Sequence, residues 1–143
     1  MHGDELAYSR ERPFWTSMLS IVSVFFGLMT LREGGGVVLF DGAAREAAGD
    51  YVGFVVWFNF LAGFVYIFAG VGLWLLRRWA VWMALAIACA TLVTFCALGV
   101  HILGGGAYEL RTVIAMSLRF GIWLLIGIVA YHQLIRSHRE TEY

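Results

Sequence analysis

The 143-residue chain contains no lysine, and its ten arginines are balanced by ten aspartates and glutamates. Without a net positive field nothing draws in a polyanion, which excludes nucleic acid as a partner. Two cysteines and one proline exclude a disulfide scaffold and a proline-rich repeat. Charge of either sign is scarce: 14% of residues carry it, against about 25% in a soluble domain. Apolar residues take its place, with 61% from the set AVILMFWYC and a mean hydropathy of +0.78. A cytosolic domain and a disordered tail are excluded together. The composition is that of an integral membrane protein.

A bilayer core of about 30 Å needs roughly 20 apolar residues per helix. Four stretches qualify: 13–31, 51–76, 79–103 and 113–135. Their apolar runs are continuous, without the alternation of a barrel strand, so they read as helices. The expected fold is all-α, an integral membrane four-helix bundle forming a single transmembrane domain over 1–143. External loops are expected at 32–50 and 104–112. The first apolar run exceeds a signal-peptide core and reads as a retained span.

Arginine placement orients the bundle. Arg10, Arg12, Arg77, Arg78, Arg136 and Arg139 fall on one side, and Arg32, Arg45 and Arg111 on the other. The richer side belongs in the cytoplasm, so both termini are expected to be cytoplasmic. Aromatic belts agree, with Phe14, Trp15, Trp74, Trp79, Trp82 and Tyr131 near the inner boundary and Tyr51 and Tyr108 near the outer.

The longer outer loop holds Gly34-Gly35-Gly36, then Val37 to Phe40, a run too short to span that is expected to dip into the interface or pack on the bundle. Asp41 can cap a short helix that Gly49 ends. A second triplet, Gly104-Gly105-Gly106, lies 70 residues on, and Phe25/Phe95 and Leu28/Leu98 share that offset. Glycine-rich turns after helices account for this echo better than a repeat does. Small residues at helical spacing mark packing surfaces: Ala84/Ala88, Ala86/Ala90, Ser117/Gly121, the shared face of Gly63 and Gly70, and Gly27.

Polar groups inside the spans are costly and therefore informative. They are Asn59, Cys89, Thr91, Thr94, Cys96, His101, Ser117, Arg119 and His132. Arg119 stands out, lying roughly 9 Å below the outer boundary at 1.5 Å per residue. Asp50, Glu109 and the Asn59 carbonyl are its available partners. With His101 and Arg111 they complete an expected outer-side polar cluster of Asp50, Asn59, His101, Glu109, Arg111 and Arg119. Its bland reading is an ion pair locking two helices in register; its sharper one is a binding or gating site.

Specific chemistries fit poorly. His101 and His132 lie near opposite faces, which disfavours a bis-histidine haem. Cys89 and Cys96 lack further ligands for zinc and read as buried thiols acting as small hydrophobes. There is no Cys-x-x-Cys pair for disulfide exchange, no acid well inside a span for proton antiport, no Ser-His-Asp set and no P-loop. No catalytic residue, metal site or resident cofactor is expected, although quinone or lipid could be bound.

The stretch Gly63-Phe-Val-Tyr-Ile-Phe-Ala-Gly-Val-Gly-Leu-Trp-Leu-Leu-Arg-Arg-Trp-Ala80, followed by an alanine-rich helix ending in Gly-Val-His101, resembles the middle of the DoxX-like membrane proteins. That resemblance implies a small four-helix bacterial protein of a group partly linked to quinone-dependent sulfur or oxidative-stress enzymes. No functional residue is carried over from it. The expected function is a non-catalytic accessory or structural subunit of a larger membrane or redox complex in the inner membrane, partnered by lipid and by other subunits or copies of itself. The alternative is a small carrier, channel or lipophilic-ligand binder, for quinone or lipid, using the outer polar cluster.

Overall fold

The computed structural model describes residues 13–136. Five α-helices follow one another: α1 (Phe14–Leu39), α2 (Ala43–Ala48), α3 (Gly53–Trp74), α4 (Arg78–Leu103) and α5 (Leu110–Tyr131), which ends in a π-helical turn, His132–Arg136. There is no strand among the described residues. α1, α3, α4 and the continuous α5 segment are each long and apolar enough to cross a membrane. The chain is thus all-helical with four candidate spans.

The interior is small and the exterior large. Ala84, Ala88, Gly63, Gly70 and Gly127 are buried, whereas Phe25, Phe68, Val93 and Leu125 point outward. This inversion suits a helix bundle coated by lipid, where close backbone approach rather than water exclusion holds helices together. α1 shows the rule most fully. It buries Thr16, Ser20, Ser23, Gly27, Thr30 and Gly34, a stripe spaced alternately by four and three residues.

That stripe lies antiparallel along α3. Ser20 Oγ donates to the Gly70 carbonyl at 2.7 Å, and farther along Gly27 approaches Gly63 so closely that a Cβ on Gly27 would stand 2.8 Å from the Gly63 oxygen. Other hydroxyls are satisfied locally: Ser23 donates to Leu19 O, Thr91 to Ile87 O and Ser117 to Val113 O. Such i−4 bonds let polar side chains sit in hydrocarbon without orphaned donors.

Four expectations are corrected. The first span does not stop at Leu31: Gly34-Gly35-Gly36 and Val37 to Leu39 continue α1, and the chain turns extended only at Phe40. Glycine costs a helix about 1 kcal/mol per residue, but here Gly34 lets Phe60 of α3 approach the backbone to 3.2 Å from where its Cβ would be. At 1.5 Å per residue α1 is about 39 Å long, more than the hydrocarbon core requires. Gly42, not Asp41, occupies the cap position of α2; Asp41 pairs with Arg45 instead, and Gly49, at φ 63°, ends the helix. Cys89 and Cys96 are exposed on the outer face of α4, beside its buried stripe, and are not interior. Ser117 and Gly121 likewise face outward, and no neighbour stands within contact of a Cβ on Gly121.

Candidate functional site

The helices form two hairpins, α1 with α3 and α4 with α5, joined through α3 and α4. α1 and α5 do not pair as the hairpin helices do, and residues of both line a cavity of about 680 Å³. α3 supplies its back wall through Val55, Val56 and Asn59, and α2 its outer rim through Ala44, Ala47 and Ala48. α1 contributes Thr30, Glu33 and Val37, and α5 contributes Arg111, Ala115 and Arg119.

Arg119 closes the deep end. It lies nine residues beyond Leu110, roughly 14 Å along α5, and only 7% of it is exposed. Its guanidinium sits over the Phe26 ring, 5.7 Å from the centroid, and Nη2 reaches Thr30 Oγ1 at 3.4 Å. Both partners belong to α1, so this one side chain spans the gap between α5 and α1. Neither carries a compensating charge. Nε is buried and has no acceptor. Glu33 is the one acid that shares the cavity with Arg119, and no ion pair forms between them; Asp41 pairs instead with Arg45.

Aromatic rings continue from that point into the bundle. Phe26 stacks on Tyr66 at 5.9 Å, and Tyr66 leans on Trp123 at 4.6 Å. Tyr66 and Trp123 are fully buried. The Tyr66 hydroxyl lies against Thr91 and Trp123 without closing a hydrogen bond of ordinary geometry to either, and Trp123 Nε1 has no acceptor. Asn59 Oδ1 is also buried without a donor.

The six expected cluster residues divide. Asn59, Arg111 and Arg119 come together at the cavity; Asp50, His101 and Glu109 do not line it. Glu109 Oε1 accepts from the Asp50 backbone N–H at 3.0 Å, tying the entry of α3 to the start of α5. Arg111 donates to the Ala47 carbonyl near the end of α2, where a cation suits the helix dipole. Arg45 fastens the other side of α2, its Nε and Nη2 donating to the Val37 carbonyl at 3.2 and 3.1 Å. His101 faces away, its Nε2 3.1 Å from the Ala107 carbonyl and its ring edge-on to Phe54. Among the described residues no three His, Cys, Asp or Glu side chains converge as a metal ion would need.

Thr30, Glu33 and Phe26 are site residues that sequence reasoning missed. Their signal was present: Thr30, Glu33, Gly34 and Val37 follow the i, i+3, i+4, i+7 spacing of one helical face. The arrangement offers a charged donor, polar groups without partners and apolar walls, but no nucleophile held beside a base. Comparison with family models, curated proteins and solved structures gives no match to this chain.

Proposed function

We propose that this chain is a small carrier or binding protein that holds a lipophilic molecule, of quinone or lipid class, in the cavity between α1 and α5. One observation carries the reading: a ligand-sized cavity ends on a buried arginine whose Nε–H has no acceptor. Ligand sites commonly span about 300–1,000 Å³ and pair apolar walls with a few placed polar groups. An arginine serving only to lock two helices requires neither the space nor the free donor. Asn59, Arg111 and Arg119 are then binding residues, while Asp50, His101 and Glu109 hold the frame. The arginine distribution favours cytoplasmic termini in an inner membrane, which puts the cavity in the external half.

A second reading keeps the chain as a non-catalytic accessory subunit of a larger membrane or redox complex. The outward Ser117 and Gly121, with open space beside Gly121, favour it by leaving room for a partner helix. The likeness to DoxX-like proteins accommodates either reading.

The deciding experiment compares wild-type protein with Ala115→Phe, which fills the cavity. Both are purified in mild detergent, extracted with solvent and analysed by mass spectrometry. The wild type should carry a near-stoichiometric small molecule that Ala115→Phe loses while remaining folded and monodisperse. A stoichiometric larger membrane protein, with no small molecule in either sample, would favour the accessory subunit.

A further inference from the structure

We infer that the ligand of the α1–α5 cavity bears an oxyanion, a carboxylate or a phosphate, seated on the Arg119 guanidinium; this rests on the binding reading above. The charged residues of the cavity are Arg32, Arg111 and Arg119 against Glu33, three cations to one anion. Arg119 is the buried member, and what it touches is neutral: a long contact to Thr30 Oγ1 and the face of Phe26. An ionised group inside a membrane calls for a counter-charge as well as hydrogen bonds. Arg119 has neither in full, because Nε lacks an acceptor and no carboxylate pairs with it.

A guanidinium presents a planar fork that matches the two oxygens of a carboxylate or phosphate. A quinone carbonyl could accept one hydrogen bond, but it would leave the positive charge uncompensated. Asn59 lies in the same cavity with its Oδ1 unpartnered. A half-turn of that amide would present an N–H in place of the oxygen, so it can meet either an oxygen or a hydroxyl of the head group. The remaining walls, Val37, Ala48, Val55, Val56 and Ala115, suit an acyl chain. The ligand class is therefore an acyl chain carrying an oxyanion, whether a free fatty acid or a phosphate-bearing lipid.

Native mass spectrometry of the whole chain in dodecyl maltoside tests this, with four probes titrated separately: oleate, oleoyl lysophosphatidate, oleyl alcohol and decylubiquinone. Wild type should bind oleate or the lysophosphatidate more tightly than the alcohol, on the order of tenfold to a hundredfold, as hydrogen bonds to charged groups imply. Preference for oleate identifies a free fatty acid, and preference for the lysophosphatidate a phospholipid-type source. Arg119→Gln should erase the advantage over the alcohol, and Arg119→Lys should retain part of it. If the Arg119 variants fail to fold, Arg32→Gln, at the exposed rim, should still weaken the anionic probes and spare the alcohol. Equal binding of oleate and oleyl alcohol overturns the inference. So does tightest binding of decylubiquinone, which leaves the cavity reading standing. Binding of none of the four overturns both.

Discussion

Arg119 sits where a lone charge is expensive, and its immediate neighbours supply a hydroxyl and an aromatic face but no formal charge. Glu33 is the acid that shares the cavity with Arg119, whereas Glu109 lies outside it with its carboxylate accepting from the Asp50 N–H. A double-mutant cycle in detergent should therefore couple Arg119→Leu with Glu33→Gln by about 0.5–1 kcal/mol, modest because Glu33 is exposed. The same cycle with Glu109→Gln should be additive, and coupling there would reassign the partner. The thiols give a simpler test. Cys89 and Cys96 are exposed on α4; against lipid neither thiol can ionise, so a maleimide should label them slowly in vesicles and readily once the protein is unfolded in denaturing detergent. Replacing both by alanine should leave Tm unchanged. Rapid labelling in intact vesicles would place that face against water.

The α1–α3 hairpin depends on a seam without bulk. Gly27→Val puts a branched side chain where even a Cβ would meet the Gly63 carbonyl, and it should cost about 1–3 kcal/mol in thermal or denaturant unfolding. Ser20→Ala removes one interhelical hydrogen bond and should cost about 0.6 kcal/mol, the typical value within a membrane. A larger loss for Ser20→Ala than for Gly27→Val would mean that hydrogen bonding, not close approach, holds the hairpin. The same seam explains what could be read in advance. Four apolar helices, the close face of Gly27, Gly63 and Gly70, the end of α2 at Gly49, and Arg119, Asn59 and Arg111 were all legible from hydropathy, spacing and depth. The reach of α1 was not, because Arg32, Glu33 and three glycines are a stop signal by local propensity, and only packing against Phe60 overrides it. Ending the helix at Leu31 removed Glu33 from the site, leaving Asp50 and Glu109 as the nearest acids by depth alone. Depth also cannot tell which way a residue faces on its helix, so His101 was grouped with residues it turns away from.

In the four-span arrangement expected from the sequence, Arg77, Arg78 and Arg136, together with Arg10, Arg12 and Arg139, which lie outside the described residues, fall on one side, and Arg32, Arg45 and Arg111 on the other. A reporter active only outside the cytoplasm should accordingly be silent when fused after Tyr143 and active when inserted within Ala43–Ala48. The reverse pattern would invert the molecule and turn its cavity toward the cytoplasm. On the proposed function, a lipophilic ligand would enter from the bilayer through the gap between α1 and α5 that the Arg119 side chain crosses to reach Phe26 and Thr30. A ligand arriving that way is already dissolved in the membrane, so the concentration that governs occupancy is its mole fraction among lipids. In vesicle titrations, half-saturation should hold at a fixed mole fraction as lipid is added, while the same midpoint expressed per litre of suspension climbs in proportion to the lipid present.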